Sequence, residues 1–180
     1  MNTYSAYWKW DEALPHQLID YLLNEEISKS TFVDGLLSTG SDLLIRRNKV
    51  AWFPGQHWLA GVLYNYALHA NQAAGWTNTI SLPEAAQIAK YSEGEFYNRH
   101  ADAHPLSAEP FTRKITVVCQ LSDNTEFSGG ELFLDTVSLP ISMARGSVVA
   151  FPSALDHWVT PVTSGTRLSA TTWALGPNIK

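Results

Sequence analysis

Hydrophobic spacing changes character about halfway along the chain. In the first half, Leu14, Leu18, Ile19, Leu22 and Leu23 form one apolar stripe, and Trp58, Leu59, Val62, Leu63, Tyr66 and Ala67 form another. Steps of three and four residues put each set on one side of an α-helix, so two amphipathic helices are predicted, the first packed on a sheet. Pro15 suits a first helical turn, where its missing N–H loses no partner, and Gly75 can close the second helix. Between the helices, Phe32-Val33 and residues 43–53 read as strands, separated by turn-forming Gly35 and residues 38–42 and ended by Pro54-Gly55. Arg46, Arg47 and Lys49 form a basic cluster there, which reads either as charge guarding an exposed strand edge or as a ligand contact. His57 and His69 lack acidic or histidine neighbours at ligand spacing and read as packing or surface residues.

From Gln87 onward the texture is short runs of Val, Ile, Thr, Tyr, Phe and Trp punctuated by Gly, Pro, Asn and Ser. Strands are predicted over 86–91, 95–102, 113–121, 131–135, 138–141, 147–151, 157–162 and 166–173. Evenly spaced short strands favour a sandwich or barrel. The expected fold is therefore mostly β with N-terminal helices: a double-stranded β-helix, or jelly roll, buttressed by two helices. The chain shows no internal repeat, linker or low-complexity tract.

Composition narrows the function classes. At 180 residues, 45% hydrophobic and 16% charged, the chain fits one domain over 1–180 with a sizeable core. A net charge of -5 and a pI near 5.6 offer no basic stripe, which disfavours nucleic acid as a substrate. Cys119 is the one cysteine, so an intrachain disulfide is impossible, and its neighbours Val117, Val118 and Leu121 predict a buried thiol. A reducing cytoplasmic setting suits it. No run reaches the ~18 apolar residues of a membrane span and residues 1–10 lack a signal-peptide pattern, so a soluble, unsecreted protein is expected.

The chemistry concentrates in Tyr97-Asn98-Arg99-His100-Ala101-Asp102. On a strand, His100 and Asp102 share a face. His157 opens the run Asp156-His157-Trp158-Val159-Thr160-Pro161-Val162 and supplies a second imidazole. Two His and one Asp are the donor set that leaves open positions on non-haem Fe(II). Arg167, in Gly165-Thr166-Arg167-Leu168-Ser169, is a fixed cation suited to two-pronged binding of a dicarboxylate. A three-residue Thr163-Ser164-Gly165 loop would pair Val162 with Thr166 and His157 with Thr171, turning Arg167, Ser169 and Thr171 to the metal's face. Arg167 then lies about 13 Å along the strand from His157's partner. Trp173 shares that face, as a core residue or a pocket wall. Three other classes stay open: a zinc hydrolase using the same ligands, which has no need of Arg167; a non-catalytic metal-binding jelly roll; and an oxygenase of a small molecule or nucleobase.

These segments resemble the 2-oxoglutarate and Fe(II)-dependent oxygenases of the prolyl 4-hydroxylase-like type, bacterial and phage members included. The likeness is strongest over 91–102, over 113–121 with Ser128-Gly129-Gly130-Glu131-Leu132, and from His157 through Arg167 to Trp173. It is weaker over 45–52 and at Ala70-Asn71 and Trp76. The resemblance implies iron held by His100, Asp102 and His157, and Arg167 on the far carboxylate of 2-oxoglutarate. It further implies O2 as cosubstrate, ascorbate as a stimulant, and decarboxylation to succinate and CO2 coupled to C–H hydroxylation. Relatives often place a Tyr on the strand before the double glycine to hydrogen-bond the cosubstrate. Here Gln120 stands in that region, with Ser169, Tyr91 and Tyr97 as further candidates. The implied substrate is a proline in a peptide or protein. The Pro-containing stretch 103–110, following the first two ligands, reads as a loop that either grips that substrate or merely connects.

Overall fold

The computed structural model describes residues 5–36, 44–103 and 109–178. Among these, the N-terminal half holds β1 (Trp8–Trp10), α1 (His16–Tyr21), β2 (Val33–Asp34), β3 (Arg46–Arg47), β4 (Lys49–Phe53), α2 (Trp58–Ala73) and β5 (Leu82–Pro83). Then follow β6 (Ala86–Tyr91), β7 (Phe96–His100), β8 (Phe111–Gln120), β9 (Phe127–Gly129), β10 (Leu132–Leu134), β11 (Val148–Pro152), β12 (His157–Val159), β13 (Val162–Gly165) and β14 (Arg167–Pro177). The large antiparallel sheet runs β1-β11-β8-β14-β6-β4-β2, with β5 on the end of β14; a smaller one runs β10-β12-β7-β3, and β13 pairs with β9. This is the expected jelly roll, mostly β with helices on one face.

Strand alternation explains the layering. Ile88 of β6, Ile115, Val117 and Cys119 of β8, Val148 and Ala150 of β11, and Ala170 and Ala174 of β14 point to one side of the large sheet. There they meet Leu59, Ala60, Leu63, Ala67 and Ala70 of α2 and Ile19 and Leu22 of the first helical segment. The alanines let α2 lie close to the sheet. Its start is capped by His57, whose Nδ1 accepts from the Leu59 N–H at 3.3 Å, and Gly75 leaves it at φ +70°. On the opposite face, Ala89, Val118, Val149 and Phe151 pack against Leu132, Leu134 and Val159 of the small sheet. Between the two sheets, alternate residues of β14 offer Arg167, Ser169, Thr171 and Trp173 to the interior.

Several expectations change. Pro15 stands just before α1, and the stripe expected as one helix tightens and widens in turn, through a π turn at Leu22–Glu26 and a 3₁₀ turn at Ile27–Lys29. Within the stripe Leu14, Ile19 and Leu22 are buried, whereas Leu18 is exposed. The strand expected over 43–53 breaks at Asn48 into β3 and β4, which belong to different sheets; Leu43 and the turn at 38–42 lie outside the described residues. Residues 138–141 form no strand, and Ile141 makes only a bridge to Leu132. The hairpin register is also different. After Pro161 the chain leaves β12's sheet to pair β13 with β9, while β14 pairs with β6 and β8, so Thr171 lies beside Gln87 and Val118 and His157 beside His100. The estimated offset between Arg167 and His157's partner falls with that hairpin. Arg167, Ser169 and Thr171 still share one face by alternation along β14, and it is the cavity's face because Ala170 and Ala174 on the other side pack into the core under α2.

Candidate metal and cosubstrate site

Cross-strand pairing of His100 on β7 with His157 on β12 sets two imidazoles 4.1 Å apart, centroid to centroid. β7 ends at His100, so Asp102 lies beyond the strand rather than on it. Its backbone N–H donates to the Ser153 carbonyl at 2.9 Å, which turns the carboxylate inward between the rings. Asp102 Oδ1 is 3.7 Å from His100 Nε2, and Oδ2 is 3.5 Å from His157 Nε2. One ligand atom from each of the three falls within 4.8 Å of the others, close enough to share one ion.

The ring nitrogens are sorted by their partners. His100 Nδ1 is 2.8 Å from the Asn98 carbonyl and His157 Nδ1 is 3.0 Å from the Leu155 carbonyl. A carbonyl oxygen can only accept, so both Nδ1 atoms carry the proton and both Nε2 atoms present lone pairs to the space beside Asp102. Burial, helped by His157, pushes the His100 pKa down to about 4, which keeps a neutral ring ready to ligate. Burial opposes the charge on Asp102, yet His157, His100, Arg113 and the Trp173 N–H together hold its carboxyl below the usual range. Two neutral imidazoles and one carboxylate in a pocket fit Fe(II) as donor set and as geometry.

Two residues fix the carboxylate. Trp173 Nε1 at 2.9 Å and Thr116 Oγ1 at 2.8 Å both donate to Asp102 Oδ2, leaving Oδ1 the less encumbered oxygen. Thr116 also contacts Ser153 Oγ at 2.9 Å, tying β8 to the turn after β11 whose Ser153 carbonyl accepts the Asp102 N–H. Neither had been expected to position the ligand. Their signal lies in the sequence as polar Thr116 within apolar β8, and as Trp173 in step with Arg167 on β14.

Arg167 is 3% exposed at the inner end of the cavity. Among the described residues no carboxylate lies within salt-bridge distance of it; its one hydrogen bond is a long one to Ser169 Oγ at 3.4 Å, and its guanidinium sits 5.7 Å over the Tyr91 ring. Burial lowers its pKa, but not enough for a guanidinium to lose its charge. A buried cation lacking an anion is costly, and an incoming carboxylate removes that cost. Gly130 makes room for it: at φ +64° a Cβ there would come within 2.9 Å of Val162 and 3.0 Å of the Arg167 side chain.

The other expected residues divide. Ser169, Tyr91 and Tyr97 line the same interior cavity as the triad and Arg167. Tyr97 stacks on His100 with centroids 3.5 Å apart, and burial pushes its phenol up to about 12. Gln120 is buried beside Ser169 but opens onto a separate pocket on the other side of Arg167, and its amide donates to the Ser122 carbonyl at 3.2 Å. Of the basic cluster read as either edge-guarding or ligand-contacting, Arg47 and Lys49 are exposed, whereas Arg46 is buried and faces the site. Outward of the triad a cavity of about 740 Å³ is walled by Trp52, Tyr97, Phe111, Arg113 and Trp173. Of the stretch 103–110, read as either gripping substrate or merely connecting, 104–108 lie outside the described residues, and Glu109 and Pro110 line this outer cavity. Cys119 is buried as expected.

Known proteins align with this arrangement. The family model described as the 2OG-Fe(II) oxygenase superfamily matches residues 86–175, the stretch from β6 to β14 that carries the triad and Arg167. The PKHD-type hydroxylase YbiX of Shigella boydii is 31% identical over 162 residues, covering 83% of this chain and 69% of that protein. Among solved structures, a Pseudomonas putida prolyl-4-hydroxylase superposes with a TM-score of 0.73 at 23% identity, over 94% of this chain and 92% of that one. The viral collagen prolyl hydroxylase of Paramecium Bursaria Chlorella virus-1, in its 2OG complex, gives 0.72 at 21% identity, over 96% and 97%.

Proposed function

The chain belongs to the 2OG-Fe(II) oxygenase superfamily, as a 2-oxoglutarate- and Fe(II)-dependent dioxygenase of the prolyl 4-hydroxylase-like type, and from that premise we propose that it hydroxylates proline within a peptide or protein. The observation that carries the proposal is the outer cavity, whose aromatic walls Trp52, Tyr97, Phe111 and Trp173 stand directly beside His100 and Asp102. A pyrrolidine ring is apolar and flat-sided, so aromatic faces can hold it, and an extended peptide ordered as polyproline II loses little entropy on binding. A cavity of about 740 Å³ has room for several residues of such a peptide. The relatives whose names specify proline share the fold.

In this reading His100 Nε2, His157 Nε2 and an Asp102 oxygen hold Fe(II), and Arg167 receives the far carboxylate of 2-oxoglutarate with support from Ser169 or Tyr91. When bound, the iron couples decarboxylation of 2-oxoglutarate to succinate and CO2 with insertion of one oxygen atom of O2 into a C–H bond. The protein's own part is positional. The Asn98 and Leu155 carbonyls orient the imidazoles, and Trp173 and Thr116 orient the carboxylate. Phe151, edge-on to His157 at 4.8 Å, and Val118, Leu132 and Val159 exclude water from the interior.

The experiment is incubation with a proline-containing peptide library, Fe(II), 2-oxoglutarate and O2, followed by mass spectrometry. A gain of one oxygen localised to proline is expected. Oxygen found on another side chain, or only on free amino acids or nucleobases, overturns the prolyl assignment.

A further inference from the structure

Arg46 sits at the junction of the inner and outer cavities, 6% exposed, with its guanidinium 4.6 Å over the ring of Tyr97, which itself stacks on His100. Among the described residues its hydrogen-bond partners are all neutral. Nε donates to Asn48 Oδ1 at 2.8 Å, Nη2 to Gln87 Oε1 at 2.8 Å and Nη1 to the Leu36 carbonyl at 3.0 Å. A guanidinium has five N–H donors in a planar fork, so these three bonds leave one donor on each terminal nitrogen without a partner among the described residues. The setting is built for it: a Cβ on Gly35 would collide with Asn48 Oδ1 and come within 2.6 Å of Arg46 Nε, so only glycine at that position lets the pair lie where it does.

The other arginines of the outer cavity already have acids. Arg113 makes two hydrogen bonds to Glu84, at 2.7 and 2.6 Å, and Arg99 pairs with Asp135 at 2.8 Å and Asp156 at 2.9 Å. Among the described residues, no carboxylate lies within 4.0 Å of Arg46. A cation kept out of water and met only by amide and carbonyl oxygens gains most from a carboxylate supplied by a ligand. Arg167, the other such cation, is spoken for by the cosubstrate in the reading above. With the whole chain at -5, long-range attraction cannot select an acidic partner, so any such selection has to be made locally.

We infer that Arg46 determines substrate specificity by binding an acidic group of the substrate, the carboxylate of an Asp or Glu close in sequence to the residue that is oxidised. The inference rests on the proposed peptide substrate, and the two are tested separately.

The probes are four matched sets of synthetic nonapeptides with a central Pro or a central Ala, flanked within three positions either by Asp or Glu or by Asn or Gln. The protein is loaded with Mn(II) and 2-oxoglutarate without O2, and peptides retained are quantified by mass spectrometry. Wild type is expected to retain the acidic sets ~10-fold better than the neutral ones, the scale of one charge-assisted hydrogen-bonded pair. Arg46→Gln should lose that preference, and Arg46→Lys, which keeps the charge but not the fork, should keep part of it. Equal retention of acidic and neutral peptides by wild type overturns the inference, and so does an undiminished acidic preference in Arg46→Gln. Should Arg46→Gln lack a cooperative melting transition, the wild-type and Arg46→Lys arms decide. Dependence on the central residue is read independently: a preference for acidic flanks that is the same around Ala as around Pro keeps the role of Arg46 and removes the prolyl reading.

Discussion

Removing the indole N–H from Trp173 should weaken metal binding while leaving the protein folded. Trp173 Nε1 and Thr116 Oγ1 both donate to Asp102 Oδ2, at 2.9 and 2.8 Å, in a site where the carboxylate is 7% exposed. A hydrogen bond to a charged group is worth about 1.5–3 kcal/mol, and partners that orient a metal ligand typically contribute about 10–100-fold in affinity. Trp173→Phe keeps an aromatic ring against Arg113, whose guanidinium is 3.7 Å from the indole centroid, and against Trp52 at 6.1 Å. The loss should therefore appear in the metal and not mainly in packing: about 10–100-fold weaker Mn(II) or anaerobic Fe(II) binding by calorimetric titration. Thr116→Val, close in shape, should cost a similar factor. The double variant should cost more than the sum of the two, because the buried oxygen then has no donor from the protein. Mn(II) affinity within threefold of wild type in Trp173→Phe would refute this account of how Asp102 is held.

Arg167→Lys should raise the 2-oxoglutarate KM by about 10–100-fold while Mn(II) affinity stays near wild type, because a point charge replaces a two-pronged fork; an unchanged KM removes Arg167 from the cosubstrate site. Gly130→Ala forces a Cβ at φ +64° to within 3.0 Å of Arg167 and 2.9 Å of Val162. Left-handed strain of about 1–2 kcal/mol plus overpacking of about 1–3 kcal/mol should lower the melting temperature by several degrees, read by calorimetry. Burial pushes the Cys119 thiol up to about 12, so it stays protonated in the fold while the unfolded chain ionises at ordinary thiol pH. Its contribution is complete below the unfolded pKa and is lost as pH rises toward the folded one, so wild type should lose about 1.4 kcal/mol per pH unit more than Cys119→Ala across pH 9.5–11 in denaturant titrations. Parallel pH profiles for the two proteins would contradict this.

What could be read from the sequence was whatever depends on local periodicity. β6 begins and ends where the run 86–91 places it, α2 follows its stripe, and the inward facing of Arg167, Ser169 and Trp173 is a matter of alternation along one strand. Partner choice is not local. Nothing near Pro161 shows that β13 will seek β9, so the register joining His157 to Arg167 could not be obtained from the turn residues between them. The same limit hid Arg46. In sequence it stands beside Arg47 and Lys49, both exposed, and only the break at Asn48, which sends β3 and β4 to different sheets, turns it inward onto Gln87 and Tyr97. Polar residues embedded in apolar strands, such as Thr116 and Gln120 in β8, were a readable sign of an interior polar site.

If His100, Asp102 and His157 hold the iron on which 2-oxoglutarate turnover depends, removing one of them abolishes turnover. The measurement is succinate production by wild type and His157→Ala at matched protein, Fe(II), 2-oxoglutarate and O2, with folding of the variant checked by its melting transition. Wild type should form succinate in an iron-dependent way and His157→Ala should fall to the no-iron background. Wild-type succinate production by a folded His157→Ala would contradict the account.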